Sequence, residues 1–326
     1  MMNVLISSAG RRGALLQLVR NAIAPTGGKV FAVDMQEWSA ACRLADGWIR
    51  VPRCTQPDFA DSVFDYCDRN EIRLIIPTID PELLIYAKHR SWFASHGIKV
   101  AVSGFDTVHI SSDKLATYRF LRNSGLPTVE TLVGEAATSS MPLEYPVIVK
   151  PRFGNSSANV YVAEDRTSLD FYLDRTPQPI VQQLAKGDEY TVNFFVGREG
   201  VCLAAVPHWR AETRGGEVSK CVTVKHRELM DLATELSAKL PDAWGPMCFQ
   251  AFVDKANEVR IIEINSRFGG GYPIAHRAGA DFISWLVNDA RGRPLPKPSD
   301  QWIEGVVMTR WETAVFTTAE DVGLCA

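Results

Sequence analysis

The chain has 326 residues, 46% of them apolar and 22% charged, which is the composition of an ordinary globular protein with room for about two domains. Its formal net charge of -3 leaves no basic surplus, which excludes a general nucleic-acid binder. Its seven cysteines are scattered without a C-x-x-C pair, and no apolar run approaches the ~20 residues of a membrane span. We therefore expect a cytoplasmic protein with free thiols and no membrane anchor.

The first hundred residues alternate short β-rich runs with helical stretches. The pattern predicts strands at 4–6, 30–33, 74–76 and 99–102, and helices at 13–24, 59–69 and 81–95. Alternation of this kind indicates a parallel sheet covered on both faces. We predict an α/β, Rossmann-like domain over residues 1–110.

After residue 106 the pattern changes. A helix is predicted at 112–124, with Ser112 or Asp113 as its N-cap and Gly125-Leu126-Pro127 as its end. Strand-like runs separated by turns then predominate, which favours an α+β region. The predicted strands are 146–150, 159–163, 180–183, 190–196, 201–206, 248–253 and 259–264, and the predicted helices are 227–240 and 275–290.

A carboxylate, a carboxamide and a guanidinium alternate at Glu263, Asn265 and Arg267, directly after an apolar run. Successive strand side chains point to opposite faces, so these three share one face. The turn at 254–258 would pair this strand with the one before it and bring Gln250 beside Glu263. Such a face suits a magnesium–triphosphate complex, although an outward amphipathic strand face is the alternative.

The apolar run at 147–149 ends in Lys150, and a loop of small residues follows from Gly154 to Asn159. A buried strand can direct its terminal ammonium into a cleft, while loop N–H groups and the hydroxyls of Ser156 and Ser157 contact phosphate oxygens. An exposed turn with an incidental lysine explains this motif equally well when it is taken alone.

Another apolar strand leads into Gln182-Gln183-Leu184-Ala185, a segment able to offer hydrogen bonds to an adenine edge. Glu189, shortly after it, could accept hydrogen bonds from ribose hydroxyls. A polar hairpin with solvated carboxylates is the alternative.

Taken in order, these motifs resemble those of the ATP-grasp superfamily, from residue 111 to about 281. The region before them resembles the Rossmann-like pre-ATP-grasp domain that precedes it. Within the superfamily, the chain is most similar to single-unit proteins related to the carbamoyl phosphate synthase large subunit. The resemblance implies an α+β ATP-grasp domain over 111–326, with a lid subdomain at about 115–190 and a C-terminal catalytic subdomain at about 191–326.

The resemblance also implies a role for each motif. The implied nucleotide-binding residues are Lys114, Lys150, Gly154, Ser156, Ser157, Gln182, Gln183, Leu184, Ala185 and Glu189. The implied metal ligands are Gln250, Glu263 and Asn265, and the implied catalytic residues are Arg267 and Lys150, with Arg267 facing the acyl phosphate.

Substrate-side residues are harder to identify, because acceptor pockets in this superfamily are built from scattered loops. The first domain borders that pocket in ATP-grasp proteins, and the segment around Arg210 would also lie near it. The candidates are Arg11, Arg12, Asp80, Glu82, Arg214 and Lys220. A solvated loop accounts equally well for Arg214 and Lys220, and the isolated histidines His208, His226 and His276 are expected to be structural.

Two departures from the carbamoyl phosphate synthase pattern bear on the substrate. Those units carry a histidine before the glycine turn that faces bicarbonate, whereas this chain reads Thr213-Arg214-Gly215-Gly216. The chain also resembles one ATP-grasp unit rather than two, and no part of it resembles a glutaminase domain.

The leading hypothesis is an ATP- and Mg²⁺-dependent (or Mn²⁺-dependent) ligase that activates a small carboxylate as an acyl phosphate, releases ADP and passes the acyl group to an amine. Carbamoyl-phosphate-type activation of bicarbonate or carbamate is the alternative within this class. An NADH-dependent oxidoreductase built on the turn at 7–12, which lacks the full G-x-G-x-x-G pattern, and a non-catalytic nucleotide-binding regulator are the alternatives from other classes. A homodimer is the base-rate expectation.

Overall fold

The computed structural model describes residues 1–137, 144–154 and 159–322, which form three β-sheets. Within these ranges, no helix is both long and apolar enough to cross a membrane. The six cysteines that lie inside them are free thiols, as expected.

The first sheet is parallel, with strand order β3-β2-β1-β4-β5. Val4 and Ile6 of its central strand pack into one apolar cluster and Leu5 packs into another, so both faces are covered. This confirms the predicted α/β architecture. Its elements are β1 (Asn3–Ser7), α1 (Gly13–Ile23), β2 (Val30–Asp34), α2 (Ala40–Leu44), β3 (Gly47–Arg50), α3 (Phe59–Arg69), β4 (Ile72–Pro77), α4 (Asp80–Ser95) and β5 (Lys99–Val100).

Two helices, α5 (Phe105–Ser112) and α6 (Lys114–Asn123), follow the parallel sheet. One helix was predicted at 112–124, but Asp113 is extended and separates two helices. Its carboxylate accepts a hydrogen bond from the backbone N–H of Leu115, which confirms the predicted N-cap. Gly125, with φ of +69°, follows the end of α6.

The second sheet is antiparallel and has the order β6-β9-β7-β8. The predicted strands around Lys150 and Gln182 become its neighbouring central strands, β7 and β9. Its elements are β6 (Thr131–Val133), α7 (Gly134–Ala137), β7 (Val147–Pro151), β8 (Tyr161–Ala163), α8 (Arg166–Leu173) and β9 (Pro179–Gln183).

The third sheet is also antiparallel, with the order β14-β13-β10-β11-β12-β15. Helix α9 covers the apolar face of its first strands, and the opposite face carries polar side chains. Its elements are β10 (Asp188–Val196), β11 (Cys202–Arg214), β12 (Glu217–Thr223), α9 (Arg227–Lys239), β13 (Gly245–Val253), β14 (Val259–Asn265), α10 (Tyr272–Arg277), α11 (Phe282–Ala290) and β15 (Val307–Thr309).

Two predictions in this region are wrong. The strand predicted at 201–206 continues to Arg214 and pairs with β12, because cross-strand pairing extends it through a polar stretch that lacks apolar alternation. The helix predicted at 275–290 is two helices. Gly279, with φ of +109°, breaks the backbone between them, and Asp281 caps the second helix at Ser284.

Candidate active site

The polar face of the third sheet brings the predicted metal-binding residues together. Strand β13 pairs with β14 so that Gln250 lies directly opposite Glu263 and Cys248 lies opposite Asn265. This confirms the predicted register. Thr191 of β10 continues the first of these rows across the sheet.

Gln250, Glu263 and Asn265 offer one carboxylate and two amide oxygens. Among the described residues, none donates a hydrogen bond to the Glu263 carboxylate or forms an ion pair with it. The Asn265 amide oxygen accepts from Arg267 at 3.1 Å. A half-buried carboxylate left without a protein partner beside two amide oxygens fits Mg²⁺, which prefers oxygen ligands and keeps part of its water shell. No cluster of three His, Cys, Asp or Glu side chains able to hold a metal occurs in the described ranges.

Lys150 is only 7% exposed and donates to the side-chain oxygen of Gln182 at 2.7 Å. Burial lowers its pKa to about 8, with Glu263 opposing this effect and Lys114 adding to it. The ammonium therefore has a neutral hydrogen-bond partner and lies within electrostatic reach of both Glu263 and Lys114. Glu263 and Lys114 therefore both lie near the Lys150 ammonium.

Lys114 begins α6, and its ammonium donates to the carbonyl oxygen of Gly154 at 2.7 Å. Gly154 has φ of +131°, a conformation that L side chains rarely adopt, so glycine is required at this position. The contact links the first predicted phosphate-binding lysine to the start of the predicted lid. Ser156 and Ser157, the other predicted lid residues, lie outside the described residues.

The side chain of Gln182 is engaged inside the sheet, so only its main chain is left for the predicted contact with adenine. Its side chain is buried, with the oxygen accepting from Lys150 and the nitrogen donating to the Thr131 hydroxyl at 2.9 Å. Both ends are occupied, so this side chain positions Lys150 rather than contacting adenine. The side-chain nitrogen of Gln183 donates to the Glu144 carbonyl at 2.8 Å.

Leu184 and Ala185 lie half-exposed in the turn that joins the second sheet to the third. Glu189 follows on β10 and forms an ion pair with the buried Arg210, with 3.2 Å between Nε and Oε2. Burial raises the pKa of Glu189, although Arg210 opposes this effect. Arg210 also donates to Thr191 and to the Gly216 carbonyl, so it fixes the position of the predicted ribose-binding carboxylate.

Arg267 connects the third sheet to the parallel sheet. It donates two parallel hydrogen bonds to Asp80, at 2.9 Å from Nε and 2.7 Å from Nη2. Burial disfavours its charge, but Asp80 outweighs burial and raises the pKa of Arg267. Asp80 begins α4 after the carboxyl end of β4, so the contact connects the strand that carries the predicted metal ligands with the carboxyl edge of the parallel sheet.

Two further arginines lie at this edge. Arg12, in the turn before α1, lies 3.8 Å from Glu217, and Arg310, just after β15, donates to the other oxygen of Glu217 at 2.8 Å. Arg310 also donates to the Gly270 carbonyl. Arg11 is exposed on the same turn as Arg12 and lies within electrostatic reach of Glu217. Sequence reasoning missed Glu217 and Arg310, because β12 and β15 carry no strong strand pattern.

The structure corrects the prediction that Glu82 faces the substrate. It was a substrate-side candidate, but it is 0% exposed and each of its oxygens accepts two hydrogen bonds. Ser7 and Ser8 donate hydroxyls to one oxygen, and the backbone N–H groups of Thr78 and Ile79 donate to the other. Its carboxylate therefore ties the loops after β1 and β4 together and is not available to a ligand.

The structure also corrects the prediction that Arg214 and Lys220 lie on the substrate side. Both pair with Glu212 on the exposed β11–β12 hairpin, at 3.1 Å and 2.7 Å. Both residues share Glu212 as their partner at the surface. Neither joins the arginines at the parallel-sheet edge. The alternative, a solvated loop, was right about their exposure, but Arg214 ends β11 and Lys220 lies within β12.

The turn after Arg267 packs closely over the polar face. A Cβ atom on Gly271 would lie 2.7 Å from the Nε2 atom of His208. His208 is 0% exposed and burial lowers its pKa to about 3, so the ring is neutral. Its other nitrogen lies 3.2 Å from the side-chain nitrogen of Asn193, which supports the expected structural role of this histidine.

A separate cavity of about 550 Å³ opens at the carboxyl ends of β2 and β3. It lies along the same edge of the parallel sheet as Arg12 and Asp80, where open α/β sheets bind ligands. Its lining residues are Met35, Gln36, Arg50, Val51, Pro52 and Arg53.

Two family models match separate parts of the chain. Residues 4–101 match a family model described as a PylC-like N-terminal domain, and residues 111–271 match a model described as an ATP-grasp domain. A carbamoyl-phosphate synthase of Methanobrevibacter smithii is 25% identical over 73% of this chain and 69% of its own length. A D-alanine–D-alanine ligase of Thermotoga maritima is 34% identical over 36% of this chain and 40% of its own length.

Among solved structures, a biotin carboxylase from Campylobacter jejuni in a complex with β,γ-ATP superposes with a TM-score of 0.75. It covers 94% of this chain and 74% of its own chain at 17% identity. At that identity the likeness shows the fold alone, a parallel-sheet domain followed by an ATP-grasp domain.

Proposed function

The chain belongs to the ATP-grasp superfamily, and on this premise we propose that it is an ADP-forming ligase that joins a small carboxylate to an amine through an acyl phosphate. Enzymes of this superfamily use ATP and Mg²⁺. The observation that carries the proposal is the arrangement on β14. The unpartnered Glu263 lies near the buried Lys150 on one side, and Arg267 lies two residues beyond Asn265 on the other.

On the nucleotide side, Lys114 and Lys150 bind the phosphates. Lys150 is buried with a neutral partner, so its charge is poorly screened and its attraction for a phosphate oxygen is strong. Leu184 and Ala185 border the adenine in the turn between the two antiparallel sheets. Glu189, oriented by Arg210, accepts from the ribose hydroxyls.

Gln250, Glu263 and Asn265 would hold the metal. Bound Mg²⁺ neutralises charge on the triphosphate and orients its terminal phosphoryl group. The chain's own contribution is to keep the Glu263 carboxylate free of protein partners, so that coordination breaks no ion pair within the described residues.

On the substrate side, Arg267 stabilises the charge that develops during transfer. A carboxylate oxygen of the substrate attacks the γ-phosphorus and ADP leaves. The amine then attacks the acyl carbon, inorganic phosphate leaves and the nitrogen gives up a proton. Because Asp80 holds Arg267 by two bonds, its remaining donors are oriented before the reaction begins, and catalysis rests on position and electrostatics.

Carbamoyl-phosphate-type chemistry is the second candidate, because the Methanobrevibacter smithii carbamoyl-phosphate synthase matches 73% of the chain. The turn at Gly215 and Gly216 lacks the histidine expected for bicarbonate, and His208 on the same strand as that turn is fully buried. These features favour a larger carboxylate over bicarbonate.

The proposal is tested by offering the purified protein ATP, Mg²⁺ and a panel of amino acids, other carboxylates and amines, singly and in pairs. ADP and phosphate release would be measured with the product mass. We expect one pair to give ADP and a product lighter than the summed substrates by one water. Release of AMP and pyrophosphate, or ADP release with bicarbonate alone, would overturn it.

A further inference from the structure

Arg12 is a guanidinium without a hydrogen-bond partner in the part of the chain that the structure describes. Its side chain is only 21% exposed, and its nearest carboxylate, Glu217, lies at 3.8 Å, too far for a hydrogen bond. Burial lowers the pKa of Arg12, and the nearby Arg267 lowers it further. A guanidinium offers five N–H donors, and donors without a partner in a partly buried site cost free energy.

Arg12 lies in a cluster of five charged groups, and the other four, Arg267, Glu217, Arg310 and Asp80, all affect its pKa. Asp80 is already engaged by Arg267 through two hydrogen bonds, and one oxygen of Glu217 is engaged by Arg310. Three guanidinium groups and two carboxylates leave one positive charge uncompensated. Arg12 has the weakest pairing of the three, because its ion pair with Glu217 is 3.8 Å long and its guanidinium makes no hydrogen bond in the described residues.

The cluster is also held in place from three directions. Arg12 lies at the carboxyl end of β1 in the parallel sheet, while Glu217 begins β12 at the edge of the third sheet. Arg310 is fixed by its own backbone N–H, which donates to the Ser219 carbonyl at 2.8 Å, and its side chain reaches both Glu217 and Gly270. Gly270 lies three residues after Arg267, so Arg310 couples Glu217 to the turn that carries the catalytic arginine.

The ion pair of Arg12 and Glu217 presents a guanidinium with unused N–H donors next to a carboxylate that is 39% exposed. An α-amino acid carries the opposite pair, a carboxylate and an ammonium separated by one carbon. Arginine binds carboxylates through two parallel N–H···O bonds, so Arg12 can satisfy its donors with such a ligand. We propose that Arg12 and Glu217 bind the amine substrate, with Glu217 held in position by Arg310, and that this substrate is an α-amino acid with its carboxylate on Arg12 and its amino group facing Glu217.

This inference rests on the proposed ligase function, which leaves the class of amine open. Arg310 acts here as a positioning residue, because it holds Glu217 rather than the substrate. The subsite lies beside Arg267, so an amino group placed there is next to the acyl phosphate that it attacks. Arg310 lies outside the matched ATP-grasp segment, which ends at residue 271.

The first test reads binding without turnover. Phenylglyoxal would modify arginines in the presence of Mg²⁺ and a non-hydrolysable ATP analogue, and peptide mass spectrometry would follow Arg12. A mixture of the twenty amino acids should slow modification of Arg12 at least ~5-fold, whereas mixtures of their amides or of their N-acetyl derivatives should not. The exposed Arg69 on α3 is the internal control for consumption of the reagent, and protection of Arg12 is measured relative to it.

Protection of Arg12 by the amides or the N-acetyl derivatives equal to that by the amino acids would overturn the inference, as would no protection by any mixture. The second outcome is the one expected if Arg12 only stabilises the contact between the sheets. Neither outcome depends on ADP release, so failure of the ligase proposal and failure of this subsite are distinguishable.

The second test separates binding of the amine from binding of ATP. With the amine found in the substrate panel, Glu217→Gln and Arg310→Gln should each raise the KM for the amine at least ~10-fold and leave the KM for ATP within twofold. Arg310→Lys, which keeps one donor for Glu217, should recover part of the loss. The matched control is Glu212→Gln on the same hairpin, whose partners are Arg214 and Lys220. Equal effects on both substrates, or none, would overturn the assignment.

Discussion

The two ends of the cleft treat charge in different ways. At the nucleotide end, Glu263 has no protein partner among the described residues and Lys150 contacts a neutral amide. At the substrate end, Asp80 is paired with Arg267 and Glu217 with Arg310, each across long stretches of sequence. The groups that we propose to meet a metal or a triphosphate form no ion pair within the described residues. Groups that set the geometry of the transfer are compensated within the protein.

The stability cost of a charged side chain in a cleft depends on whether it has a partner within the protein. An unpartnered carboxylate or a desolvated lysine costs stability in the free protein, and that cost is recovered on binding. A buried arginine held by two bonds from a carboxylate is oriented in advance, but removing its partner exposes the full cost of its burial. Mutations at the two ends should therefore separate activity from stability.

The largest expected effect is at the nucleotide end. Glu263→Gln should lower kcat for ADP release about 1,000-fold, because it removes the one carboxylate of the candidate metal set. The thermal midpoint should stay within ~2 °C of wild type, since no described residue pairs with this carboxylate. Steady-state kinetics and circular dichroism melting would measure both. Glu258→Gln, on the turn before β14, is the control, and a Glu263→Gln variant with wild-type kcat would remove the distinction between the two ends.

Asp80→Asn should lower the stability of the protein as well as its activity. It keeps the shape of the side chain but removes the charge that compensates Arg267, and breaking a buried pair in this way costs about 3 kcal/mol. Urea unfolding should report this loss, and kcat should fall because Arg267 is no longer held. The double variant Asp80→Asn with Arg267→Met should recover stability but not activity. If Asp80→Asn unfolds at the wild-type urea concentration, the pair does not stabilise the contact between the sheets.

Gly271→Ala tests the packing between the two ends without changing any charge. Gly271 has φ of -82° and ψ of -2°, which alanine tolerates, so the substitution acts through its Cβ alone. That atom would lie 2.7 Å and 2.8 Å from two atoms of the buried His208 ring. We expect a loss of about 2 kcal/mol in the free energy of unfolding.

A double-mutant cycle with His208→Ala identifies the cause of that loss. If the clash is responsible, Gly271→Ala should cost at least ~1 kcal/mol less in the His208→Ala background than in the wild type. Additive effects of the two substitutions would show that the turn does not pack on this ring as described.

The smallest effect is the pH dependence of ATP use. Lys150 has a pKa of about 8 in the free protein, and its charged form, present below that pH, is the one that binds phosphate. The value of kcat/KM for ATP should therefore fall as pH rises through about 8, by about tenfold at pH 9. Lys150→Arg should remove this decline, because arginine stays protonated. A wild-type profile that is flat to pH 10 would argue against a role for Lys150 in binding the free nucleotide.

Local patterns predicted much of the nucleotide end. The alternation of Glu263, Asn265 and Arg267 requires them to share a face of any strand, and the short turn before β14 leaves few registers for Gln250. The lysine at the end of an apolar strand could be found in the same way. The sequence position of Gln182 could not show that its side chain contacts Lys150 inside the sheet.

The substrate end was much less predictable. Arg267 and Asp80 are 187 positions apart, and Arg310 and Glu217 are 93 apart. Glu82 and Asp80 looked alike in sequence, yet Glu82 is buried among four donors while Asp80 reaches the next sheet. Periodicity cannot distinguish such neighbours, since it reports the face of an element and not what packs on that face.

The sequence was sufficient to predict the main strands and helices, the shared face of Glu263, Asn265 and Arg267, and a set of groups able to meet a metal and a triphosphate. These follow from the alternation of strand side chains and from short turns, which act over a few residues. The packing of the sheets was needed to show that Asp80 holds Arg267, that Arg310 pairs with Glu217, and that Arg12 has unused donors within the described residues. These contacts depend on how the parallel sheet packs against the third sheet, which is decided by the apolar clusters of the whole chain.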